Sequence, residues 1–152
     1  METTSQIPHI NPLKAISFMA LLLLIMLWLY TGMDKILENE KFVFQMGLSP
    51  LGLVAYNNQL LGWVVPVIEL ALACALAIEK TRRVGLFASI FLLFVFEFYI
   101  AAMLLSHSEL PCACGGVVAL MSWRGHLLFN LFFIACAAGH LYFEYPRVRK
   151  RE

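Results

Sequence analysis

Four stretches of this chain stay apolar for about 20 residues, the length at which a helix rising roughly 1.5 Å per residue crosses a bilayer core. They run from Ala15 to Met33, Leu60 to Ile78, Val84 to Leu105 and His126 to Phe143. Polar residues punctuate them: Lys14 before the first and Asp34-Lys35 after it, Glu79, Lys80, Arg82 and Arg83 between the second and third, Ser106-His107 after the third, Glu144 and Pro146 after the fourth. The pattern predicts an all-α membrane protein, a four-transmembrane-helix bundle over residues 15–143 with helices at about 15–33, 60–78, 84–105 and 126–143. A tail at 1–14 and a basic tail at 144–152 flank it, and no internal repeat is visible. The first run is longer than a signal-peptide core, and the Thr-Gly-Met-Asp-Lys that follows lacks a small-x-small cleavage site, so it reads as a retained helix.

The segment Asp34 to Gln59 is apolar from Phe42 to Tyr56 apart from Gln45 and Ser49, and is broken by Gly47, Pro50 and Gly52. It is too short and too interrupted to span. Two readings stay open, a short interfacial or re-entrant element over the mouth of the bundle and a greasy loop at headgroup level. Pro66 removes a backbone hydrogen bond from the second helix, which leaves the Gly62 carbonyl unpaired and loosens that turn.

Composition removes the remaining alternative of a soluble domain with a large core. Of 152 residues 61% are hydrophobic and 14% charged, with mean hydropathy +0.79, against roughly 45–50% and about 25% for soluble domains. A net charge of +1 offers no field for nucleic acid. The distribution of the cations is more telling than their sum. Lys14, the Lys80-Arg82-Arg83 cluster and Arg147, Arg149, Lys150 and Arg151 make eight on one side, against three, Lys35, Lys41 and Arg124, on the other. The excess of Lys and Arg marks the cytoplasmic side. Both termini are therefore expected in the cytoplasm, and the loop holding Pro111-Cys112-Ala113-Cys114-Gly115-Gly116 outside.

Cys112 and Cys114 carry the candidate redox chemistry. Side chains two apart diverge on a helix, so the pair needs a loop, and Pro111 with Gly115-Gly116 supplies one. A disulfide between near neighbours closes a small strained ring, and strained, exposed disulfides are labile and oxidising. The pair thus suits disulfide exchange in an oxidising compartment. An inert loop clip and a Cu(I) site remain open beside it, although no zinc-type His/Cys cluster accompanies the thiols. Cys74 and Cys136 lie among apolar residues and read as packing.

Glu69 and Glu97 fall inside the second and third runs. Carboxyl groups there face the bundle interior and have a partner or a task; proton handling and a simple interhelical hydrogen bond are both open. Trp123, His126 and Asn130 share one face at the start of the fourth helix, directly after the cysteine loop. His126 is placed to depress a thiol pKa or shuttle its proton, an aromatic beside it to stack on a quinone ring. His107 is another candidate neighbour. Trp123 as an interfacial anchor and Asn130 as interhelical glue are the plainer readings; His9 and His140 read as tail and packing.

Taken together, Tyr30-Thr31-Gly32-Met33-Asp34-Lys35-Ile36 with Phe44, Pro66-Val67-Ile68-Glu69-Leu70-Ala71, the Pro-Cys-Ala-Cys-Gly-Gly loop, Ser122-Trp123 and His126-Leu-Leu-Phe-Asn130 resemble the DoxX-like membrane superfamily, specifically its MauE branch, from about Lys14 to Tyr142. The resemblance implies a redox-associated inner-membrane protein. For that branch it implies help in maturing a disulfide-rich extracytoplasmic subunit of methylamine dehydrogenase; other members of the superfamily are associated with quinone-linked oxidation. Carried over, the thiols are Cys112 and Cys114 and the intramembrane acid is Glu69.

The expectation is a multi-pass thiol–disulfide redox protein of the cytoplasmic membrane. It exchanges disulfides with an extracytoplasmic thioredoxin-like or disulfide-rich partner and passes electrons to a quinone near Glu97, His126 and Asn130. A non-catalytic anchor or assembly subunit of an oxidoreductase complex, and a small transporter or metal-handling protein, are the competing classes.

Overall fold

Residues 12–106 and 123–148 are described by the structure, a computed structural model, with side chains described over 15–106 and 124–142. Among the described residues six helices follow in order: α1 (Pro12–Leu37), α2 (Asn39–Gly47), α3 (Gly52–Tyr56), α4 (Asn58–Ala77), α5 (Arg82–Leu105) and α6 (Trp123–Val148). α4, α5 and most of α1 and α6 make four stretches, among the described residues, long and apolar enough to cross a membrane. No strand occurs among the described residues.

Within the described residues α1 runs from Pro12. It does not end at Met33. The helix continues through Asp34 and Lys35, because a charge ends an apolar run without breaking a backbone ladder, and the Glu38 amide still donates to the Asp34 carbonyl at 2.9 Å. α6 likewise extends past Glu144 to Val148. The segment between α1 and α4 forms two short helices, of which α2 buries Phe42 and Val43 against the bundle.

The four long helices form a ring in which α1 packs on α4 and α6, and α5 packs on the same two. Neighbours are antiparallel, so α1 and α5 face each other across one diagonal and α4 and α6 across the other. Trp28 spans the first diagonal: its indole Nε1 donates to Ser89 Oγ at 2.9 Å, and its ring lies 6.3 Å from that of Phe96. Leu24, Leu76, Leu86, Leu93 and Ala137 fill the interior around it. At the α4–α5 turn, Thr81 Oγ1 donates to the Ala75 carbonyl at 2.9 Å and Arg82 Nε to the Leu76 carbonyl at 3.2 Å, satisfying acceptors that the helix end leaves open.

The polarity pattern is the reverse of a soluble protein's. Phe91, Phe98, Val84 and Leu128 are 70% exposed or more, while Lys35, Glu69, Ser89, His126, Asn130 and His140 are buried. In water the outer surface would be one large apolar patch. In lipid it is the solvated surface, and interior polar groups contribute to helix association by bonding one another. His140, on α6, does so far from the α2 end: its Nδ1 lies 2.7 Å from Ser17 Oγ and 2.8 Å from the Ser17 carbonyl on α1.

Pro66 has the predicted effect on its own helix, but the Gly62 carbonyl does not stay unpaired. Asn39 Nδ2, from α2, donates to it at 2.6 Å, and Asn58 Nδ2 donates to the Val43 carbonyl at 3.4 Å. Gly62 also has no room for a side chain, since an added Cβ would overlap Val43 Cγ2. Gly62→Ala is therefore expected to push α2 off α4 and cost about 1–3 kcal/mol. Adding Val43→Ala should recover part of the loss in denaturation midpoint, and a single variant as stable as the parent would contradict this contact.

Candidate functional site

Glu69 lies near the middle of α4, on the face shared by Gly62, Pro66, Leu72, Ala73 and Leu76, all directed at the interior. Gly32 on α1 meets this face: a Cβ there would stand 3.1 Å from Leu70 Cγ and 3.3 Å from Glu69 Cβ, so glycine sets how closely the two helices approach. One turn on, Lys35 departs from the usual behaviour of a lysine near a helix end, which extends its ammonium toward the headgroups. Cα–Cβ bonds tilt toward the helix N-terminus, and the Lys35 side chain follows that tilt inward. Its Nζ donates to Glu69 Oε1 at 2.8 Å and Oε2 at 3.1 Å, with side-chain exposures of 5% and 0%.

The pair is then elaborated. The third Lys35 proton has the Thr31 carbonyl as its nearest acceptor, at a long 3.4 Å. The ammonium also stands 5.7 Å from the Phe42 ring centroid and 5.8 Å from that of Phe96, within cation–π range. The Thr31 hydroxyl has a single hydrogen, for which the Leu27 carbonyl at 3.0 Å and the Glu69 carboxylate compete.

Beside the ion pair is a cavity of about 50 Å³, lined by Trp28, Thr31 and Lys35 of α1, Phe42 and Met46 of α2, Val65 and Glu69 of α4, Phe96, Tyr99 and Ile100 of α5, and His126, Phe129 and Asn130 of α6. At roughly 10–15 Å³ of such volume per molecule, it has room for about three to five waters. His126 and Asn130 are 3% and 5% exposed. Asn130 donates to the Glu97 carboxyl, whose Oε2 is buried without a hydrogen-bond partner. A cation, an anion, an imidazole and an amide thus share one small aromatic chamber, a setting for moving protons or for holding a ligand with polar edges.

Of the residues singled out in the sequence, Glu69, His126 and Asn130 meet at this chamber, and Glu97 joins it through Asn130 without lining it. Cys112, Cys114, His107 and the side chain of Trp123 lie outside the described residues. The segment carrying the cysteines is anchored at the C-terminus of α5 and the N-terminus of α6, the same end of the ring as α2 and the chamber. Cys74 is exposed on the rim of α4, and Cys136 is partly buried on the diagonal helix α6, so the two do not face one another as a second pair would.

The sequence pattern does not single out Lys35, Trp28, Ser89 or Tyr99 as residues of the site. For Lys35 a signal existed: Gly32 stands three residues before it, on the same helical face, and Glu69 needed an intramembrane partner. At the edge of an apolar run, Lys35 has the same sequence context as a loop cation. No comparable pattern marks the other three.

No curated protein and no solved structure matches the chain significantly. A family profile described as Methylamine utilisation protein MauE matches residues 13–143, which takes in all four spans and the chamber. This chain is a multi-pass membrane protein and belongs to the MauE family.

Proposed function

We propose that the chain is the membrane component of a thiol–disulfide exchange system in the cytoplasmic membrane. It serves the maturation of a disulfide-containing extracytoplasmic protein, as the methylamine-utilisation description of its family suggests. The observation that carries the reading is the attachment of the Cys112–Cys114 segment at the chamber end of the ring. The distribution of Lys and Arg supports placing that end outside. With Lys35 withdrawn into the bundle, its cations are Lys41 and Arg124, both exposed, against eight at the other end and the tails.

In this scheme a thiolate of the substrate attacks the Cys112–Cys114 disulfide, forming a mixed disulfide and releasing one thiolate. The second substrate thiolate then displaces the remaining cysteine. The substrate loses two electrons and two protons, and the pair gains them as a dithiol. Return to the disulfide needs an acceptor of two electrons and two protons, and a membrane quinone is the class that a lipid-embedded chain meets. The chamber's residues fit such a group: Lys35, His126 and Asn130 are donors suited to ring oxygens, and the aromatic walls suit a ring face.

Cys112→Ser and Cys114→Ser, made separately, test the reading. One of them is expected to trap a mixed disulfide with a partner on non-reducing gels, and both should stop substrate maturation by at least tenfold. Normal maturation in both would overturn it. Normal maturation in both together with loss of function in Glu69→Gln would favour a transport role for the intramembrane acid instead.

A further inference from the structure

The cavity beside Lys35 and Glu69 receives polar groups from three helices. Lys35 and Glu69 come from α1 and α4, and His126 and Asn130 from α6, which packs on α1 and stands diagonally across from α4. The rest of the lining is aromatic and aliphatic. The Lys35 ammonium has one N–H left with only a 3.4 Å acceptor, the donor that an incoming oxygen would recruit. Behind Asn130, the unpartnered Oε2 of Glu97 is a buried carboxyl oxygen placed to hold a proton. A ligand matching this lining is planar and largely apolar, carries hydrogen-bond acceptors on its rim, and arrives through hydrocarbon.

The size of the cavity adds a condition. A dry cavity of roughly 150 Å³ admits a benzene-sized ring, and this one measures about 50 Å³. The wall best placed to yield is α2, which contributes Phe42 and Met46 and is tied to α4 by the Asn39–Gly62 and Asn58–Val43 hydrogen bonds while its other face is exposed. The helices forming the other walls are long members of the ring.

We propose that this chamber is the binding site for the head group of a membrane quinone, with Lys35 donating at one ring oxygen and His126 and Asn130 at the other, and that α2 moves aside to admit the ring. The proposal rests on the reading that the chain unloads electrons to a quinone and names the residues that hold it. Thr31 and Glu69 are positioning residues, since they orient the Lys35 ammonium.

The test is equilibrium binding of ubiquinone-1 and of menadione to the full chain in lipid nanodiscs, with Trp28 as the sole tryptophan (Trp63→Phe, Trp123→Phe) and its fluorescence quenching as the readout. Saturable quenching is expected. Lys35→Met combined with Glu69→Leu, which removes both charges and orphans neither, and His126→Ala on a separate helix should each weaken binding tenfold or more. Phe98→Ala, on the lipid face, should leave it unchanged. Absence of saturable quenching, or equal affinity in all these variants, overturns the site.

Thiol labelling of Cys112 and Cys114 in cells with and without quinone depletion separates the two claims. A quinone-independent thiol state alongside saturable, variant-sensitive binding sinks the electron-transfer reading and keeps the site. A quinone-dependent thiol state with unaltered affinity in the variants sinks the site and keeps the reading.

Discussion

Lys35→Met alone is expected to destabilise the bundle by about 3–5 kcal/mol, because it leaves the fully buried Glu69 carboxylate without its cation. Lys35→Met together with Glu69→Leu should restore most of that loss. Removing both ions also removes their desolvation penalty, and apolar side chains of similar length pack in their place. SDS- or heat-induced unfolding in detergent, followed by far-UV circular dichroism, measures both. The contrast between single and double variants matters more than either value. Equal destabilisation by both would mean that side-chain shape, and not charge pairing, holds α1 to α4. Persistence of the parent's stability in the single variant would mean that Lys35 reaches water and Glu69 lies protonated.

The second large effect concerns Trp28. It is 1% exposed, crosses the α1–α5 diagonal and donates to Ser89. Trp28→Ala should cost about 3–5 kcal/mol, from lost dispersion contacts and the cavity left behind. Ser89→Ala, which leaves the indole N–H buried without its acceptor, should cost about 1–3 kcal/mol. Ser89 can redirect its hydroxyl to a carbonyl one turn back, so Trp28→Phe is expected to fall between Ser89→Ala and Trp28→Ala. The same unfolding measurement checks the series. A cost below about 1 kcal/mol for Trp28→Ala would place the indole at the lipid boundary rather than in the core. Because the ring also lines the chamber, Trp28→Ala should enlarge it toward the size that admits a ring.

These two residues show how unevenly the site was legible. Glu69 stood out because a carboxylate in an apolar run has few cheap explanations. His126 and Asn130 stood out as polar residues one turn apart on one face. Lys35 did not, since a lysine at the edge of an apolar run is the usual mark of a membrane boundary, and only its inward direction separates the two cases. Trp28 looked like any aromatic in a span. For the interval between α1 and α4 the sequence leaves an element over the bundle's mouth and a greasy loop at headgroup level both open. That it is two short helices, one of them capping the carbonyl freed by Pro66, required knowing that Asn39 comes within reach of Gly62.

By itself the sequence determined that the protein is helical, that four apolar runs span a membrane and that acid groups lie within them, because apolar length and the cost of charge in hydrocarbon are properties of a chain segment. The tertiary structure decided where Lys35 points, what Glu69 pairs with, which helices face each other across the ring and that α2 closes a chamber over them. Those are relations between side chains brought together from distant segments. Hydropathy, which adds residues one at a time along the chain, carries no information about which pairs will meet.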